Sequence, residues 1–199
     1  MAPKNKVAEA VLRANASYAS KFGDRKNLPG TPQKKVAILT CMDVRIGPLE
    51  IAGFSLGDAH VIRNAGGRAS DDAIRSLLVS YKFFGTRDWL VIQHTQCGMA
   101  GVTDREISEL FAESLEPAVK KDDKWVNESI GHGADPKLTA GWLTISDLDD
   151  SVRSDVELIA NHPLVSKAIS IHGYIYDVQS GSLRTVEGAR RLGETRQTP

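Results

Sequence analysis

Three short runs constrain this chain most: KVAILTC up to Cys41, AHVIRN ahead of Ala65-Gly66-Gly67, and DWLVIQH up to His94. Each is mostly apolar without alternation and then breaks into a polar or glycine-containing turn, which is what a strand covered on both faces looks like. Between the second and third runs, Ser70 can cap a helix whose first turn carries Asp71 and Asp72 at the positive end of its dipole, and Gly85 can close it. Strands alternating with helices predict an α/β fold with a mainly parallel central sheet flanked by helices. The segment KAISIHGYIYDVQSGSLRTV adds a strand, a turn at Ser180-Gly181 and an antiparallel edge strand. Ligands of such sheets gather at the carboxyl ends of the strands.

Residues 5–22 place Val7, Val11, Ala14, Tyr18 and Phe22 at intervals of three and four, a helical stripe that Gly23 stops. Residues 1–30 are therefore expected to form an N-terminal helical arm and linker, and residues 31–199 a single α/β domain. Thr103-Asp104-Arg105-Glu106 fits a capping box and opens a helix expected to run towards Val119. Residues 120–145, with Trp125, Pro136 and Trp142, show no clear periodicity and read as an insertion or lid with little regular structure. Another helix is expected from Ser146, with Leu148, Val152, Val156 and Ile159 on one face and a stop at His162-Pro163. Residues 187–199 read as a polar tail, disordered or lying on a partner.

With 199 residues and 41% hydrophobic content the chain can bury a real core. Its 25 basic and 25 acidic residues cancel, so bulk charge does not direct it to nucleic acid or to an anionic membrane. No apolar run approaches the roughly 20 residues of a membrane span, and the first twenty residues lack the apolar region of a secretory signal. A cytoplasmic location is expected; the basic, acid-poor N-terminus leaves a mitochondrial presequence as the minor alternative. In a reducing compartment the two cysteines point to metal binding or chemistry before a disulfide.

Cys41 lies just past one strand end, and His94 and Cys97 just past another. Two thiols and an imidazole are a donor set for zinc, which takes sulfur at about 2.3 Å and nitrogen at about 2.0–2.1 Å, and catalytic zinc keeps three protein ligands and an open fourth position. Soft thiolates favour zinc over magnesium or calcium. On spacing alone two core cysteines and a loop histidine read as well; the company of Asp43 and Arg45 favours the metal. Bound zinc lowers the pKa of water to around 7, and a small linear electrophile such as CO2 needs little more than that nucleophile in a dry pocket. Asp43 is placed to accept a hydrogen bond from the nucleophile, and Arg45 to hold Asp43 ionised through a bidentate pair. A structural ion pair at a strand end is the competing reading of those two. Arg63 to Gly67 could offer N–H groups to an anion, although a tight strand-to-helix turn needs glycine anyway. His60, His132, His162 and His172 read as surface or core histidines.

Cys41-Met42-Asp43-Val44-Arg45 followed by His94-Thr95-Gln96-Cys97 resembles the paired signature of the β-class carbonic anhydrases. The resemblance is strong over residues 34–103, and the short chain is most similar to the small subgroup that also contains carbonyl sulfide and carbon disulfide hydrolases. It implies one Zn2+ per chain on Cys41, His94 and Cys97, with Asp43 and Arg45 as the catalytic dyad and Asp43 as a fourth ligand in a closed state. It implies reversible hydration of carbon dioxide to bicarbonate and a proton, with COS or CS2 hydrolysis at the same site as the alternative. A non-catalytic protein stapled by zinc is the reading from another class. The family's protomers dimerise, so a homodimer or dimer of dimers is expected, the N-terminal helix lying across the partner. Val44 stands where many members have serine, and residues 120–145 match no common family pattern.

Overall fold

The computed structural model describes residues 6–137 and 141–194. The chain divides into two units, Met1–Gly30 and Thr31–Pro199. In the first, helix α1 (Lys6–Ser20) buries none of its residues and leads into a 3-10 turn at Gly23–Asn27. Within this unit Tyr18 packs edge-on against Phe22, and Arg25 lies over the Tyr18 ring.

The second unit is built on a five-stranded sheet. In chain order its elements are β1 (Val36–Cys41), α2 (Pro48–Ile51), β2 (Ala59–Asn64), α3 (Asp71–Phe84), β3 (Asp88–His94), α4 (Asp104–Glu113), β4 (Val119–Lys121), β5 (Lys124–Val126), α5 (Leu148–Asn161), β6 (Ser170–Tyr176) and β7 (Leu183–Arg191). The strands lie in the order β2-β1-β3-β6-β7, with β7 alone antiparallel to its neighbour. Every residue of β1 is buried, so its apolar run is covered on both faces as its composition requires. Ala37, Leu39, Trp89 and Val91 pack on one face with Leu77 of α3 and Val152, Val156 and Ile159 of α5. Val36, Ile38 and Ile92 pack on the other with Leu49, Ile51 and Phe54. No helix among the described residues is long and apolar enough to cross a membrane.

The local signals act where expected, with three corrections. Ser70 accepts from Ala73 N–H, Gly85 closes α3 at φ 70°, and Thr103 and Glu106 form the full capping box. Helix α4, however, ends at Glu113 and does not run to Val119: Ser114 turns extended and bridges to Gly131 and His132, ahead of Pro117. The 120–145 insertion holds an antiparallel hairpin, β4 with β5, turned by Asp122 and Asp123 at φ 47° and 62°. Paired left-handed residues match the twist of a tight hairpin, and Asp tolerates that conformation. Residues 187–191 of the expected tail continue β7, whose composition hides it because only Val186 and Ala189 are buried. Arg191 anchors that end by donating to the carbonyls of Ala160, Ser166 and Ile169. Residues 195–199 lie outside the described residues.

Candidate metal centre

The ends of the adjacent parallel strands β1 and β3 bring Cys41 and His94 together, and a turn after β3 returns Cys97 to the same point. The two Sγ atoms are 3.9 Å apart. One ligand atom from each of Cys41, His94 and Cys97 lies within 4.8 Å of the others, and all three residues are buried. The turn depends on Gln96, which stands at φ 55°. A side chain there costs on the order of 1–2 kcal/mol of backbone strain.

The imidazole is oriented for a cation. His94 Nδ1 lies 2.9 Å from the carbonyl of Thr95, and a ring nitrogen can only donate to a carbonyl, which puts the proton on Nδ1 and the lone pair on Nε2. That Nε2 is buried and has no hydrogen-bond partner. A buried acceptor left unpaired costs about 1–3 kcal/mol, and a metal beside the two sulfurs removes that cost. The donor set and the orphaned nitrogen thus fit a metal ion held by these three residues.

Cys41 and Cys97 share a hydrogen bond that bears on the ionisation of both. Hydrogen bonding from Cys97 pulls the Cys41 thiol below the ordinary thiol range against burial, with the N–H groups of Asp43 and Gly66 assisting. The same bond to Cys41, then burial, pushes Cys97 above the ordinary thiol range. A cation between them favours the thiolate in both.

Asp43 and Arg45 meet beside this cluster. Arg45 donates from its backbone N–H and Nε to Asp43 Oδ1, each at 2.9 Å, and from Nη2 to Oδ2 at 2.7 Å. These bonds hold the Asp43 carboxyl well below the usual carboxylate range. Asp43 Oδ2 is 3.9 Å from His94 Nε2, so the carboxylate borders the metal position while bound to its arginine.

Two further residues serve the site that sequence reasoning did not single out for it. Gln96 ties the ligand turn to the dyad: its side-chain oxygen accepts from Arg45 Nη1 and its carbonyl from Nη2, both at 3.2 Å. Arg63, read above as part of a glycine turn, donates to the carbonyls of Cys41 and Asp43 at 3.0 and 2.6 Å. A basic residue one position before a strand's last residue was the available signal. The glycines of that turn answer to space: a Cβ on Gly67, at φ 68°, would lie 2.8 Å from the backbone nitrogen of Cys41. Of the other histidines, His60 pairs with the Ser80 hydroxyl and His172 lies near Asp88; neither joins the cluster, and nor do His132 and His162.

The carbonic anhydrase family profile matches residues 36–183. The beta-carbonic anhydrase 1 of Mycobacterium tuberculosis is 34% identical over 180 residues, which span 90% of this chain and 98% of that protein. A carbon disulfide hydrolase of Saccharolobus solfataricus is 36% identical over 168 residues, 80% of this chain and 81% of that protein. Among solved structures, a carbonic anhydrase from Streptococcus mutans superposes with a TM-score of 0.73 at 37% identity, covering 90% of this chain and 96% of that one.

Proposed function

The chain belongs to the β-class carbonic anhydrase family, and from that membership we propose that it catalyses the reversible hydration of carbon dioxide to bicarbonate and a proton. One zinc ion per chain on Cys41, His94 and Cys97 completes the site. The observation that carries the reading is the position of Asp43, bordering the three donors yet held by Arg45 at both oxygens. A purely structural tetrahedral zinc site has four protein ligands, and a fourth donor kept on an arginine leaves a coordination position for water or substrate.

Zinc, when bound, supplies a Lewis acid that lowers the pKa of water towards about 7 and makes a nucleophile available at neutral pH. The protein's own groups do the rest. Asp43 accepts a hydrogen bond from the attacking water and so turns its lone pair towards carbon. Arg45 keeps that carboxylate ionised and, through Gln96, locked to the ligand turn. The two thiolates offset the charge of the ion, so that an uncharged substrate meets a site with little net field. Ile46 and Ile145, packed against Cys41 and Cys97, form a dry wall suited to a small linear molecule.

Hydrolysis of CS2 or COS by the same groups is the second reading, favoured by the 36% identity to a carbon disulfide hydrolase. Hydration of CO2 is preferred because the match spans 98% of the mycobacterial carbonic anhydrase against 81% of that hydrolase. Stopped-flow CO2 hydration beside sulfide release from COS and CS2, on one zinc-loaded preparation, tests the choice. Rapid hydration is expected; negligible CO2 turnover with rapid sulfide release would overturn it. Inertness towards all three from about pH 6 to 9 would leave a structural zinc.

A further inference from the structure

Asp155 of α5 carries a carboxylate only 4% exposed, and three side-chain donors converge on it. Arg68 donates from Nε to Oδ2 at 2.8 Å and from Nη2 to Oδ1 at 3.1 Å, and Gln93 donates from Nε2 to Oδ2 at 2.9 Å. Burying an ion pair this deeply costs solvation that the attraction barely returns, so stability alone is a poor account of it. Its two partners lead to the metal centre by different routes.

Gln93 immediately precedes the ligand His94 on β3. Arg68 uses its remaining nitrogen, Nη1, on the carbonyls of Leu143 and Thr144 at 2.7 and 3.0 Å. The next residue, Ile145, is 2% exposed and packs with Cys41, Ile46 and Cys97. Its N–H donates to the Met99 carbonyl at 2.8 Å. Leu143 stands at φ 56°, a conformation that a non-glycine residue keeps only where its surroundings impose it. A strained segment is therefore held at consecutive carbonyls by Arg68 and, one residue on, by Met99, with its apolar side chain pressed against the two ligand cysteines.

We propose that Asp155 is a positioning residue for the metal centre: through Arg68 it seats Ile145 as the dry wall against Cys41 and Cys97, and through Gln93 it steadies the strand end that carries His94. The inference rests on Cys41, His94 and Cys97 holding a metal and is independent of the reaction that follows. Groups that orient metal ligands from behind typically change metal affinity about 10–100-fold when removed.

The test loads metal-free protein with Co2+, whose d–d and thiolate charge-transfer bands report the ligand geometry, and follows its release to a chelator. Asp155→Asn, Arg68→Lys and Ile145→Ala are each expected to take up one Co2+, to show shifted bands, and to release the ion about tenfold faster than the wild-type chain. Arg68→Lys keeps a cation for Asp155, but one ammonium cannot grip the carboxylate and both carbonyls at once, so it separates the seating of the wall from the ion pair. Arg75→Ala, which breaks the exposed pair with Asp72, should release at the wild-type rate. Should Asp155→Asn fail to fold, the other two variants carry the test. Wild-type spectra and release rates in both Arg68→Lys and Ile145→Ala would overturn the proposal, whereas failure of the wild-type chain to take up Co2+ would overturn the metal assignment beneath it.

Discussion

Arg45 grips both carboxylate oxygens of Asp43, two residues before it, while that carboxylate lies 3.9 Å from the unpartnered nitrogen of His94. The arginine thus decides which of two neighbours the carboxylate serves. Arg45→Ala should free Asp43 to move onto the metal, giving a zinc-replete protein with CO2 hydration reduced about a hundredfold or more. Asp43→Ala should also be slow and zinc-replete, but its metal should remain accessible to small anions. Zinc analysis, hydration rates and azide binding to the cobalt forms separate the two. Near-normal hydration by Arg45→Ala would contradict this account of the pair.

Each cysteine is expected to be indispensable for metal. Serine is a far poorer ligand for a soft site, and either Cys41→Ser or Cys97→Ser leaves only two good donors. Atomic absorption should find both variants depleted of zinc, with activity lost in proportion. Full occupancy in either would remove that cysteine from the ligand set.

Gln96 opposes backbone strain to a side-chain contact, and substitution can separate them. Gln96→Gly relieves the left-handed conformation but loses the bond to Arg45 Nη1; Gln96→Ala loses the bond and keeps the strain. Thermal unfolding should place the glycine variant above the alanine variant by about 1 kcal/mol, with hydration impaired in both. Equal stabilities would show that the turn is not strained.

Asp104 predicts an acid-sensitive contact. Its carboxylate accepts from the hydroxyl and N–H of Thr144 at 2.6 and 3.0 Å and from Trp142 N–H at 3.1 Å, and these bonds hold its pKa below the ordinary carboxylate value. A depressed folded-state pKa contributes stability that is fully present above the ordinary value and is lost as pH falls through the lowered one. Trp142, stacked on Phe111 and donating to Ser108, should therefore keep its fluorescence down to about pH 4 and change only below it. Asp104→Asn should abolish that acid step. An unaltered step in the variant, with Trp142→Phe as the control for assignment, would point to another carboxylate.

The arm makes a prediction about assembly. Val11, on the α1 stripe, and Leu12 beside it are 60% and 71% exposed, more large apolar surface than one helix has reason to leave in water. If the helix lies across a second copy, as the family resemblance implies, Val11→Glu with Leu12→Glu should lower the mass seen by sedimentation. An unchanged mass would place the contact elsewhere.

What could be read in advance followed from how strongly each segment's chemistry constrained it. The runs ending at Cys41 and His94 have only one comfortable environment, a sheet covered on both faces, and those two ends with the turn to Cys97 carry two thiols and an imidazole, a donor set suited to one ion. Ser70, Thr103 and Gly85 mark helix ends by local hydrogen bonding, which needs no knowledge of the rest of the fold. The end of β7 was hidden because an edge strand with two buried residues keeps a polar composition, and its pairing with β6 is a tertiary fact. The β4–β5 hairpin turns on two aspartates where glycine or asparagine is the usual sign. The Arg68, Asp155 and Gln93 cluster joins the loop ahead of α3, helix α5 and strand β3, and nothing in the neighbourhood of any one of them announces the others.

The pairing of β1 with β3 bears on the order in which the protein is made. Cys41 precedes His94 by an entire strand-helix-strand passage, and the two meet only through the parallel register that sets Thr40 opposite Ile92. An unfolded chain offers a cation no more than the His94 and Cys97 pair, a weak two-toothed grip. High affinity must therefore appear late, after the slow non-local step of parallel pairing. A nascent chain still lacking β3 has no site at all, and refolding should proceed at the same rate with or without zinc while unfolding of the loaded protein becomes much slower. The ion then acts as a latch on a finished structure, with no part in guiding its construction.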